Sequence, residues 1–200
     1  MSLRGGKRLA ASVVLLWGAV VCGFGQQTEA RLARASDLKG RQVQPLHDTK
    51  AKAVVLFFVQ TSCPISNRYA PEIKRLYDKF ASAGVIFWLV YPDGDDTLRI
   101  IRRHRKEYGY KLGALRDAKH HLVQATGASV TPEAAIFVPS KDGPQLVYRG
   151  RIDDRVVAFG KTRPAPTTRD VEQVLNEILS GQTVTLKTTV ALGCAIPVLD

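Results

Sequence analysis

The feature that most constrains this chain is the junction at Cys63, where a continuous apolar run passes within four residues into a helix. Ala53 to Val59 reads Ala-Val-Val-Leu-Phe-Phe-Val, the pattern of a strand covered on both faces rather than one with a wet side. After Gln60-Thr61-Ser62-Cys63 comes Pro64, suited to a first helical turn, and then Ile65, Tyr69, Ile73, Leu76, Tyr77 and Phe80 at helical spacing. That spacing predicts a packed helix over 65–83. A thiol at a helix start faces unpaired backbone N–H groups and the positive end of the helix dipole, both of which favour thiolate over thiol. A free cysteine is more often a small buried hydrophobe; its place at the junction is what marks Cys63 as a nucleophile.

The residues around that junction resemble the thioredoxin-like superfamily, in particular its redoxin branch of thiol-disulfide reductases and thiol-specific antioxidant proteins. Cys63 falls on the attacking cysteine, Ser66 on the partner position of the Cys-x-x-Cys motif, and Ala70-Pro71 on the Ala-Pro within the same helix. Thr131-Pro132, followed by the apolar strand Ala134 to Val138, falls on the cis-proline opposite the active site. About one X-Pro bond in twenty is cis in folded proteins, so it is the resemblance that implies cis here. It implies a three-layer α/β sandwich with a mixed central sheet and helices on both faces, no cofactor and no metal, and as partners protein or small-molecule disulfides and a thiol reductant.

Ser66 departs from the pattern, since Cys63 has no thiol three residues away with which to close a disulfide. Either the chemistry is monothiol or the resolving thiol lies elsewhere. Cys22 and Cys194 are the other cysteines, and Cys22 sits in a segment expected to be removed. Cys194 lies in Ala-Leu-Gly-Cys-Ala-Ile, and some redoxin-like proteins resemble this one in ending on a Gly-Cys-x-Ile tail. A tail has the reach to visit the site because closure cost grows slowly with separation; an incidental tail thiol is the other reading.

Three further classes compete. Peroxiredoxins attack with a cysteine at the same helix start but carry Thr or Ser three residues before it, where this chain has Gln60; Thr61 and Ser62 are out of register, and Arg68 or an arginine of 149–155 is left to stabilise the anion. Copper-delivery relatives carry a second cysteine where this chain has Asn67, and the histidines available are His47, His104, His120 and His121, of which the adjacent pair points apart on a helix. A non-catalytic binding module that lost its dithiol is the third.

Two hundred residues at 45% hydrophobic content suffice for one good core, and the chain divides into a segment 1–30, a redoxin domain 31–182 and a tail 183–200 carrying Cys194. The first segment has a basic start, an apolar run from Leu9 to Phe24 and small residues near Gly23 to Ala30. That describes a secretory signal, with an uncleaved membrane anchor as the second reading; Val21 before Cys22 is bulkier than a lipoprotein site prefers. Export to a periplasmic or extracellular compartment follows, where disulfides persist. The formal charge is +11, of which Arg4, Lys7, Arg8 and Glu29 supply +2. The rest favours anionic surfaces non-specifically, and no nucleic-acid-binding motif accompanies it.

Further along, Asp37 to Lys52 reads as an irregular hairpin and Val85 to Tyr91 as a second buried strand closed by Pro92-Asp93-Gly94. Thr97 to Tyr108 reads as a basic helix whose Arg99, Arg102, Arg103, His104, Arg105 and Lys106 form a solvated face or a docking surface for an acidic partner. Short elements follow at 112–115 and 120–126, then a hairpin of 134–138 with 145–152 and a last helix over 168–179. Residues 150–166 are expected to form a loop at the edge of the active site.

Overall fold

The computed structural model describes residues 29–48 and 50–199. Of the expected leader 1–30, residues 1–28, with Cys22, lie outside them, and Ala30 is buried. Five strands form the body of one sheet: β3 (Ala53–Phe58), β4 (Val85–Tyr91), β5 (Gly113–Arg116), β7 (Glu133–Ser140) and β8 (Gly143–Gly150). β3, β4 and β5 run parallel, β7 lies antiparallel on the other side of β3, and β8 completes the hairpin. The short hairpin β1 (Ala35–Asp37) and β2 (Gln42–Val43) adds to β5, giving the order β2-β1-β5-β4-β3-β7-β8. This is a mixed sheet with helices on both faces, as the resemblance implies.

β3 is central, and all six of its residues are buried. Its alternation assigns them to two cores. Val55 and Phe57 face Ile73, Leu76 and Phe80 of α2 (Ala70–Phe80), Ile101 of α3 (Leu98–Glu107) and Val174 of α5 (Asp170–Leu179). Val54, Leu56 and Phe58 face Leu122 and Ala125 of α4 (His121–Thr126) and the N-terminal Ala30 and Ala33. Parallel strands in the spatial order β3-β4-β5 place both crossover helices on one face, and the return from β5 to β7 carries α4 across the other.

The helix expected over 65–83 is broken. It consists of α1 (Pro64–Arg68), α2, and a 3₁₀ turn at Ala81–Ala83. The break falls at Tyr69, two residues before Pro71, whose nitrogen has no hydrogen to donate to the carbonyl of Asn67. Tyr69 instead closes α1 by donating to Ser66 O at 3.0 Å, and Ile73 restarts the ladder on Tyr69 O at 2.9 Å. α3 is basic on its exposed side, but His104 turns inward, 5% exposed, between Tyr91, Tyr108 and Tyr110. Among the described residues no helix is long and apolar enough to cross a membrane.

Asp117 closes β5 and caps α4 from three residues upstream, accepting the N–H groups of Leu122 and Val123, each at 3.0 Å, on Oδ2. Its Oδ1 is buried without a partner. Burial outweighs the hydrogen bonds from the backbone amides of Val123, Leu122 and His121 and pushes the carboxyl up to about 7. The folded state then holds this proton through a range where the unfolded chain, with an ordinary value of about 3.9, has released it. Stability from this group is therefore fully present below about pH 4 and is lost as pH rises towards 7. Asp117→Asn keeps an acceptor for both amides and carries no charge. It is expected to match the parent in thermal midpoint at pH 4 and exceed it at pH 8; a difference that does not change with pH would contradict the assignment.

Candidate functional site

The site is set by strand register. Phe58, the last residue of β3, pairs with Glu133, the first of β7, so the turn leaving β3 meets the loop entering β7. Val59 N–H donates to Val90 O at 2.9 Å, which holds the chain on the sheet for one more residue before Gln60–Ser62 turns it into α1. Cys63 is the N-cap of α1, its Sγ 3.4 Å from the amide of Ser66. The same Sγ lies 3.2 Å from the carbonyl oxygen of Thr131, 68 residues away in sequence, and the Thr131–Pro132 peptide is cis. Cys63 is 1% exposed, and Thr131 and Pro132 are buried.

Ser66, at the position where the resemblance places a second thiol, holds the turn instead. Its hydroxyl accepts the Gln60 N–H at 3.3 Å while its own amide points at Cys63.

Cys63 is disulfide-bonded to Cys194, with Cα atoms 6.1 Å apart and a sequence separation of 131. The segment carrying Cys194 is held along its length. Arg149 N–H donates to Lys187 O and Thr189 N–H to Arg149 O, each at 3.1 Å, so 187–189 runs beside the end of β8. Gly150 leaves room for it there, since a Cβ at that position would come within 2.8 Å of Thr189 N. Further on, Cys194–Ala195 forms the strand β11, antiparallel to β6 (Val130–Thr131). In this disulfide-bonded form the backbone edge beside Pro132 is taken by the chain's own tail.

Several residues that the sequence does not single out build the rest. Glu133, 4% exposed, accepts the N–H of Ser129 at 2.8 Å and of Val130 at 3.4 Å and pairs with Arg149 at 3.5 Å, so it clamps the loop that presents Thr131. A charged residue opening an otherwise apolar strand is the one signal of it in the sequence. Tyr69 donates its hydroxyl to Asp153 Oδ1 at 2.7 Å; burial, then that bond, push its pKa far above the ordinary phenol range. This bond brings the start of 150–166 against Pro132, and the expected loop contains a hairpin of β9 (Val156–Ala158) and β10 (Lys161–Thr162).

On the other flank, Asn67 donates to Thr61 O at 3.0 Å and its Oδ1 meets His104 Nε2 at 2.8 Å, while His104 Nδ1 is 2.9 Å from the Tyr91 hydroxyl. Burial lowers the pKa of His104, so the neutral ring donates from Nε2 and accepts from Tyr91. Thr61 donates both its hydroxyl and its amide to Asp96, and Gln60 donates its side-chain amide to Asp93. Burial raises the pKa of Asp96 against those two bonds from Thr61. Thr61, one of the two hydroxyls near the peroxide-orienting position, is thus engaged with Asp96, and Gln60, which occupies that position, with Asp93. The adjacent histidines diverge, His120 Nε2 reaching Pro92 O at 2.9 Å and His121 Nδ1 reaching Arg34 O at 3.1 Å.

Comparison with known proteins places this architecture. An uncharacterized conserved protein from Geobacillus kaustophilus superposes with a TM-score of 0.71 at 25% identity, covering 83% of this chain and 88% of its own. A hypothetical protein from Sinorhizobium meliloti 1021 gives 0.69 at 23% identity, covering 82% and 88%. A secreted disulfide oxidoreductase of Mycobacterium tuberculosis gives 0.50 at 16% identity, covering 77% and 98%, a likeness of fold. No curated protein matches the sequence significantly. The family model for AhpC/TSA matches residues 27–145, which includes Cys63, Pro132 and the strands that bring them together. The chain has a thioredoxin-like fold and belongs to the AhpC/TSA family.

Proposed function

We propose that this protein is an exported thiol-disulfide oxidoreductase in which Cys63 attacks and Cys194 resolves. The observation that carries the reading is the Cys63–Cys194 disulfide beside Thr131–Pro132. Reduced Cys63 has the Ser66 amide as a donor to its thiolate. The thiolate attacks one sulfur of a substrate disulfide, forming a mixed disulfide and expelling the other substrate sulfur as thiolate. Cys194 then attacks Cys63 Sγ, releasing the second substrate thiolate and leaving the intramolecular disulfide. The substrate gains two electrons, and a thiol reductant restores the pair. Thr131 and Pro132 contribute the backbone edge along which the substrate lies.

Because Ser66 leaves no thiol within the helix turn, a resolving thiol from the tail supplies what the local motif lacks. In this reading 31–182 is the redoxin domain and 183–200 its resolving arm. Export is supported by the basic and apolar composition of the first 24 residues and by the persistence of such a disulfide outside the reducing cytosol. Substrates are protein or small-molecule disulfides. A thiol-peroxidase reading is disfavoured by the engagement of Thr61 with Asp96 and Gln60 with Asp93.

Cys63→Ser is expected to abolish disulfide exchange, and Cys194→Ser to leave attack intact and accumulate a Cys63–substrate mixed disulfide detectable by intact mass. Normal turnover of Cys194→Ser with a small-thiol reductant would establish a monothiol route, and full activity of Cys63→Ser would sink the redox assignment. Closing a loop of 131 residues removes enough entropy from the unfolded chain to stabilise the oxidised form by roughly 5 kcal/mol on the chain-entropy relation. Urea denaturation of the two forms is expected to show the reduced protein less stable by a large part of that amount. Equal midpoints would contradict this account, because a tail docked alike in both forms leaves the full entropic difference in place.

A further inference from the structure

The tail lies on the site as a bound peptide would, and its fit shows which peptides can replace it. Beside Cys63, β6 pairs with Cys194–Ala195, and Ile196 N–H continues the pairing to Ser129 O at 3.0 Å. Each tail position meets a different demand. Gly193, directly before the cysteine, is pressed on the backbone at Thr131: a Cβ there would collide first with the Thr131 carbonyl oxygen, would lie 2.6 Å from its carbonyl carbon, and 3.1 Å from Pro132 N. Those atoms belong to the loop that Glu133 holds through Ser129 and Val130, so they have little freedom to retreat. Leu192 lines a small cavity together with Tyr69, Pro132 and Val156. Ala195 is exposed, whereas Ile196 is 9% exposed in the same core cluster as Leu122 and Phe137.

Building on the exchange reading above, we propose that the disulfide Cys63 exchanges with is carried on an extended polypeptide segment that has glycine immediately before its cysteine and an aliphatic residue two positions after it. Such a segment takes the place of residues 192–196, pairs with Val130–Thr131 and puts its sulfur in line with Cys63 Sγ. The residue between the cysteine and the aliphatic position faces solvent and is unrestricted. Tail and substrate compete for one backbone edge, so return of the tail to resolve the mixed disulfide is also the event that expels the product.

The test uses the full chain carrying Cys22→Ser and Cys194→Ser, which leaves Cys63 as its one thiol, and the heptapeptide Val-Ala-Leu-Gly-Cys-Ala-Ile activated as a mixed disulfide with nitrothiobenzoate. Chromophore release is followed for this peptide and for one with alanine in place of glycine. The glycine peptide is expected to react roughly tenfold faster or more, the scale of forcing one methyl group into a packed contact. Equal rates for the two peptides would overturn the proposal. Failure of Cys63 to react even with the symmetrical nitrothiobenzoate disulfide would instead bring down the exchange reading beneath it. An independent measurement uses Gly193→Ala in the otherwise unaltered chain. Its Cys63–Cys194 disulfide, equilibrated against a fixed ratio of reduced to oxidised glutathione, is expected to form with an equilibrium constant roughly tenfold lower, and an unchanged constant would contradict the steric argument.

Discussion

The site depends on the pairing of β3 with β7, and on the register in which Phe58 meets Glu133. A shift of one residue would turn Val55 and Phe57 into the wrong core and present Val54 and Leu56 to α2. Because both faces of β3 are buried, that slip has a cost on each side of the sheet. The same register aligns the turn after β3 with the loop before β7 and thereby sets Cys63 against Thr131. A contact spanning 68 residues is thus held by the cores rather than by local preference.

Around that contact the protein uses polar side chains as braces for backbone. Ser66 fastens the turn at Gln60, Asn67 fastens it at Thr61, Asp96 takes the Thr61 amide and hydroxyl, and Glu133 gathers the amides of Ser129 and Val130. A buried carboxylate is costly unless its oxygens are used; Asp96 uses its pair on the amide and hydroxyl of Thr61, and Glu133 uses one oxygen on the amides of Ser129 and Val130 and the other on Arg149. The result is two rigid loops facing each other with one sulfur between them. The tail closes over this arrangement and finishes it, its backbone completing the hydrogen bonds at Thr131.

How much of this was legible beforehand follows from the range of the interactions. The buried strand Ala53–Val59, the helix face through Ile73, Leu76 and Phe80, and the Thr131-Pro132 opening of a strand are local patterns, and they stand out in the residues themselves. The break at Tyr69 was also written locally, in Pro71, but the apolar spacing ran across it and hid it. His104 looked like one more charge on a basic helix; its inward turn depends on Tyr91 and Asn67, which belong to other elements. Asp153 under Tyr69 and Glu133 under Val130 had no local signature beyond their charge. Cys194 was visible as a candidate, yet what brings it to Cys63 is the path of 187–189 along β8 and the strand pairing at β6, both long-range. Gly193 stood out only as part of the Gly-Cys-x-Ile resemblance; its physical requirement comes from the backbone of a residue 62 positions earlier.

The bond between Cys63 and Cys194 also gives the chain a mechanical character. It encloses α1 to α5 and β4 to β10. Force applied to the two ends of the oxidised chain would pass through the disulfide and leave the enclosed segment unstretched, a sequence separation of 131 and a hidden contour of roughly 450 Å at about 3.5 Å per residue. A molecule pulled while oxidised can yield only the segment before Cys63 and the few residues after Cys194. Reduction under load would release the whole enclosed length in a single event, so that this protein registers its own redox state as a change in extensibility.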